Sequence, residues 1–274
     1  MLNFMDKLKM IDNNENLDML AKDQDDDIRI ELAYQGKCLE QLVDDKNWLV
    51  RMHVARHGYG LDKLVKDKHH CVRFEVLKFD NYIEQLVNDN YDPIRIEIAR
   101  KGKYLDILVN DKHSKVRQEV AKHGYGLDKL INDLDYKVRQ EVARQNYGLD
   151  KLINDENPKV RMIVAKQGYG LDKLVYDKNA NVRKHVAKQG YGLDILIKDK
   201  IQKIRIEVAK KRYGLDILIN DEETKVRQTV ARQGYGLSKL ICDSSPKVKE
   251  AVIKYCKKHI DKKECENILV LSSL

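Results

Sequence analysis

The sequence predicts an all-α fold, a right-handed α-solenoid of short helix–turn–short-helix repeats. Three observations predict it. Residues 116–137 read VRQEVAKHGYGLDKLINDLDYK and residues 138–159 read VRQEVARQNYGLDKLINDENPK, and this 22-residue phase runs from Ile28 to Val248. A fixed short period means one supersecondary unit stacked many times. All fourteen glycines fall at two slots of that unit. Apolar residues recur at helical spacing, and no segment has the period-two alternation of a strand.

Residues 1–27 read as an N-terminal cap and partial repeat, with Leu17, Leu20 and Asp23 already in repeat slots. Residues 28–247 hold ten full units. The stretch 155–176, DENPKVRMIVAKQGYGLDKLVY, represents them. Asn157 is placed as an N-cap, because its side chain can accept from an orphan amide of the first turn. Pro158 follows at the first helical position, where a missing amide proton costs nothing. Val160, Val164 and Ala165 form one apolar stripe. Gly168 ends the helix by adopting the left-handed conformation, and Asn146 holds that slot one unit earlier. Leu171, Leu174 and Val175 form a second apolar set, too short for an independent helix and expected as one α or 3₁₀ turn. Residues 248–274 form a C-terminal cap: an eleventh unit starts at Val248, then Lys257, Lys258 and His259 replace the Tyr-Gly-Leu turn. Atypical ends are required because a terminal unit has no neighbour to cover its apolar face. The expectation is one continuous solenoid domain.

An invariant acid, Asp23 through Asp243 at 22-residue intervals, is followed six residues later by Arg, from Arg29 to Arg227, and finally by Lys249. The string D-x4-[VI]-R with Ala four residues on, as in DENPKVRMIVA, resembles the loop and second-helix start of HEAT repeats. That resemblance implies an Asp–Arg ladder between neighbouring units. The unit is shorter than a HEAT repeat and is similar in outline to the leucine-rich repeat variant, which alternates an α-helix with a 3₁₀-helix. The resemblance covers about residues 17–256. It implies architecture and no single activity. Independently, an Arg flanking a buried stripe requires a partner, and a regular loop Asp supplies one.

The chain carries 52 Lys and Arg against 44 Asp and Glu, a net charge of +8. Residues 1–27 hold three Lys and eight acids; residues 247–274 hold seven Lys and four acids. Such a balance permits nucleic acid or acidic partners without requiring them. Five cysteines with no CxxC pair fit free thiols in a reducing compartment. No signal-peptide run and no 18-residue apolar stretch occurs. A cytoplasmic protein, without membrane spans and monomeric, is expected.

Candidate binding residues lie in two columns. One is basic: Arg56, Lys122, Arg144, Lys166, Lys188, Lys210 and Arg232, continued by Lys78, Arg100 and Lys254. It faces away from the apolar stripe near the helix C-terminus, where a cation also suits the dipole. Glu three residues earlier can pair with it, so Arg56, Lys166, Lys188 and Arg232, which lack that Glu, are the strongest points. Beside it runs a polar column, Gln145, Gln167, Gln189 and Gln233, able either to grip a polymer or to bond from repeat to repeat. Seven tyrosines (Tyr59, Tyr125, Tyr147, Tyr169, Tyr191, Tyr213 and Tyr235) follow the turn glycine slot, either stacking on bases or packing on the next turn.

Catalytic motifs are missing: there is no HExxH, P-loop, GxSxG or dinucleotide fingerprint. His53, His57, Cys71 and Glu75 could meet as metal ligands on neighbouring helices, but local drift accounts for them and no metal or cofactor is expected. A HEAT-like DNA glycosylase remains an alternative, with Trp48 the sole tryptophan. The expected function is a non-enzymatic scaffold binding an extended macromolecular partner along one face. A protein or peptide is preferred, with nucleic acid on the cation column as the alternative.

Overall fold

The computed structural model describes residues 2–271, and all regular structure among them is helical. Each 22-residue unit is a long helix, a tight turn, a four-residue helix and a loop, an α-solenoid repeat. Contacts divide the chain into Met1–Gly126 and Leu127–Leu274. In Met1–Gly126, helix Phe4–Asn13 packs on Asp26–Tyr34, which packs on Trp48–Arg56, and that on His70–Val76; Asp92–Arg100 packs on Ser114–Lys122. In Leu127–Leu274, the long helices Tyr136–Arg144, Pro158–Lys166, Ala180–Gln189, Gln202–Lys210, Thr224–Arg232 and Pro246–His259 pack in succession, and Lys262–Val270 closes on the last.

Local chemistry sets the boundaries. Asn157 Oδ1 accepts from the Lys159 amide at 2.9 Å, and Pro158 stands at the first turn. The helix ends at Lys166 with Gln167 as its C-cap, and Gly168 takes φ +77°. The Tyr169 amide then returns to the Val164 carbonyl at 3.3 Å, which satisfies one of the orphan carbonyls of the last turn. Gly170 also has positive φ, +58°, and a second reason to be glycine: a Cβ there would lie 2.1 Å from Ile153 Cδ1 of the preceding unit.

The second apolar set forms a single α turn, Leu171–Leu174, with bonds from Leu174 N to Gly170 O (3.0 Å) and Val175 N to Leu171 O (2.9 Å). This differs from the α/3₁₀ alternation that the leucine-rich repeat variant implies. A 3₁₀ turn occurs at Asp80–Tyr82, where Asp80 and Tyr82 replace the two turn glycines. Val160, Val164, Ala165, Leu174 and Val175 are buried as the pattern requires, while Leu171 is half-buried. At the C-terminal end Cys256 stands where a turn glycine would be, and the helix runs on to 14 residues. The ring of Tyr255 lies over Gly234 of the preceding unit. Among the described residues no helix is long and apolar enough to cross a membrane.

Candidate functional site

The Asp and Arg columns form a ladder between units. Arg161 Nε donates to Asp177 Oδ2 at 2.6 Å and its Nη2 to Asp177 Oδ1 at 2.9 Å, while Nη1 donates to the Asp155 carbonyl of its own loop at 2.7 Å. Asp177 Oδ1 also accepts the Asn179 amide at 2.7 Å. The same bidentate clamp joins Arg51 to Asp67, Arg95 to Asp111, Arg183 to Asp199 and Arg205 to Asp221. Burial pushes the Asp177 carboxyl up, but the Arg161 hydrogen bond, the Asn179 amide and the Arg161 charge outweigh it and leave the group below its ordinary 3.8. Each of these five arginines is held by the next unit's Asp and by a carbonyl of its own loop, so the ladder holds the repeats in register.

The opposite flank of the long helix is the open one. In Pro158–Lys166, Lys159 and Lys166 are exposed, Met162 is half-buried and Ile163 lies buried at the base between them. At 100° per residue these four positions occupy one contiguous arc. The face they define differs sharply along the chain. The six long helices of Leu127–Leu274 carry twelve Lys or Arg and three Glu at these positions. The five repeat helices of Met1–Gly126, from Asp26–Tyr34 to Ser114–Lys122, carry five basic and five acidic residues. One unit thus presents a basic face and the other a neutral one.

Within the candidate cation column, geometry separates paired from open members. Lys122 lies 2.8 Å from Glu119, Lys210 3.2 Å from Glu207, and Arg144 contacts Glu141. Arg56 reaches Glu75 Oε1 of the following unit at 3.3 Å, so it is paired although its own helix lacks the Glu. Among the described residues, no carboxylate lies within ion-pair distance of Lys166, Lys188 or Arg232, and all three are exposed. Lys166 and Lys188 flank His185. Burial pushes the His185 imidazole below its ordinary 6.5, against the hydrogen bond from Nδ1 to the Asn181 carbonyl at 2.7 Å, and the charges of Lys166, Lys188 and Lys184 push it further down. Lys166 and Lys188 therefore both act on the imidazole between them.

Two members of the glutamine column bond from repeat to repeat. Gln167 Nε2 donates to the Arg144 carbonyl at 3.2 Å, and Gln189 Nε2 to the Lys166 carbonyl at 2.8 Å. His57, Lys101 and His123 make the equivalent bond to Tyr34, Leu77 and Arg100. These carbonyls lie at the C-terminal ends of the long helices, where no intrahelical donor is left for them. The main-chain carbonyl of Gln233 accepts Arg212 Nη1 at 2.8 Å. The seven turn tyrosines are all 40–43% exposed, so each leaves a similar part of its ring on the surface.

His53, His57, Cys71 and Glu75 do not form a metal-ligating group. His57 points its Nε2 at the Tyr34 carbonyl, Glu75 takes Arg56 and Lys78, and His53 packs edge-on against Tyr34. Among the described residues no cluster of three or more His, Cys, Asp or Glu is placed to hold a metal ion. Sequence reading missed a ring stack in Met1–Gly126: Trp48 on His69 (4.0 Å between centroids), His69 beside His70, and His70 on Tyr91 (4.1 Å). Aromatic residues at the starts of successive helices were the available signal. No protein-family model and no curated protein matches the chain.

Proposed function

We propose that this chain is a non-catalytic scaffold, built from shortened HEAT-like or leucine-rich-repeat-variant units, that binds an extended acidic protein segment along the open face of Leu127–Leu274. One observation carries the reading: twelve cations against three carboxylates on that face, where the corresponding positions of Met1–Gly126 balance to neutral. Charge density favours a peptide over nucleic acid. Duplex DNA presents one negative charge per about 1.7 Å, or roughly five over the 8–10 Å that separates packed helices. The face supplies far fewer cations per helix, and Glu141, Glu207 and Glu250 interrupt it. Sparse carboxylates match it better than closely spaced phosphates.

The chain acts on this account as a cytoplasmic monomer, its five cysteines free. The test is fluorescence anisotropy with an acidic peptide and an oligonucleotide at rising salt. The acidic peptide should bind, and the triple change Lys166→Gln, Lys188→Gln and Arg232→Gln should weaken binding at least about tenfold, a difference of about 1.4 kcal/mol. Thermal stability should stay unchanged, because exposed charges contribute little to folding. Undiminished binding by the triple variant would refute the reading. Tighter oligonucleotide binding that falls with salt at about one logarithmic unit per phosphate would replace it with the nucleic-acid alternative.

A further inference from the structure

We infer that the segment held on this face is a polyproline II strand with an acidic side chain at every third residue. The inference rests on the acidic-segment reading above and adds the conformation and spacing of the partner. Pitch is the first argument. Consecutive long helices of Leu127–Leu274 pack directly, with Cα atoms within 8 Å of one another, and packed helices lie about 8–10 Å apart. Each presents one exposed cation at the same position: Arg144, Lys166, Lys188, Lys210, Arg232 and Lys254. A polyproline II strand has three residues per turn and rises about 3.1 Å per residue, so equivalent side chains recur every ~9.3 Å. A β-strand repeats its face every ~6.6 Å and falls out of register after one or two helices. Two turns of an α-helix, ~10.8 Å, overshoot the spacing at every step.

The tyrosine column is the second argument. Tyr147, Tyr169, Tyr191, Tyr213 and Tyr235 follow the cation column by three residues, at the same end of the long helices and with the same period. All are 40–43% exposed. Proline-rich segments are recognised by aromatic-lined surfaces, and their preformed backbone loses little entropy on docking. A segment of acid-Pro-Pro triplets would set its carboxylates on the cation column and its prolines on the tyrosine column. Lys166, Lys188 and Arg232 would take the carboxylates most readily, because no glutamate competes for them.

The test compares three labelled probes on the full chain at about 0.15 M salt, where exposed charges are screened beyond about 8 Å. The first is six Glu-Pro-Pro triplets, matching the six cations. The second has the same composition with its glutamates in one block and its prolines in another. The third is oligothymidine of similar length. The periodic peptide should bind at least about tenfold tighter than the block peptide. Tyr169→Ala with Tyr191→Ala should erase that difference, with helical content by circular dichroism unchanged, while Lys178→Gln on the loop side should not. Equal affinity for both peptides, or tighter binding of the block, overturns the threefold register and leaves the acidic-segment reading standing. No binding of either peptide to the folded chain overturns both. Tighter binding of oligothymidine overturns both in favour of nucleic acid.

Discussion

At the residue scale the chain is dominated by a buried ion pair repeated from unit to unit. In the Arg161–Asp177 pair both side chains are less than 10% exposed, and each of the three guanidinium nitrogens donates to a partner. Removing one member strands the other, so Asp177→Ala should destabilise by roughly 3–5 kcal/mol in urea unfolding, whereas Lys178→Ala, exposed beside it, should stay within about 0.5 kcal/mol. The clamp carboxylates also fix an acid limit. Asp67, Asp111, Asp177 and Asp199 lie below the ordinary 3.8, burial opposing the shift and the Arg and backbone hydrogen bonds prevailing; at Asp243 the Arg227 hydrogen bond leads. A depressed folded-state value means the unfolded chain takes up protons first, so stability is intact above about pH 4 and lost as pH falls through the depressed values. Melting temperature against pH should fall steeply below about pH 4; a flat curve there would contradict the clamp. At the open face, the field of Lys166 and Lys188 should be visible at His185. Replacing both with Gln should move its NMR titration midpoint upward, and an unmoved midpoint would separate those cations from the imidazole.

At the element scale the two turn glycines do different work. Gly168 ends the long helix with open space around it, and Asn146 fills the equivalent slot at φ +58°. Gly170 has positive φ and also lies against Ile153. Gly168→Ala should therefore cost about 1 kcal/mol for the backbone alone, and Gly170→Ala about 2–4 kcal/mol once overpacking is added. Similar costs for the two would mean the neighbouring unit yields freely. The helix-stopping role was legible in the sequence, because it is local: a left-handed residue after an apolar stripe. The close approach to the preceding unit was not, because it depends on how tightly two units nest. The glutamine column had two readings for the same reason. Its bond to the preceding unit's last carbonyls needs the separation of helix ends, which no spacing along the chain supplies.

At the scale of the whole chain, each unit touches chiefly its neighbours, so units should be interchangeable in number. Deleting residues 160–181 joins Lys159 to Val182 in phase and restores the D-x4-[VI]-R string. This variant should keep its helical content per residue and melt cooperatively at a lower temperature. Deleting residues 160–170 instead breaks the phase of the ladder and should abolish folding. If both deletions behave alike, the 22-residue unit is not the unit of stability. On the proposed reading, a partner that matches one unit would match each of its copies, so affinity should grow with the count of units engaged.

The sequence by itself determined the helical unit, its caps, its turn and the pairing of Asp with Arg, because all of these arise within 22 residues or between identical slots one period apart. It also placed every member of the cation and tyrosine columns. Only the tertiary structure decided which cations remain open. Arg56 loses its freedom to Glu75 of the next unit, whereas Lys166, Lys188 and Arg232 keep theirs. That outcome depends on the reach of a side chain across a packed interface, a distance set by how the core residues of two units close against each other.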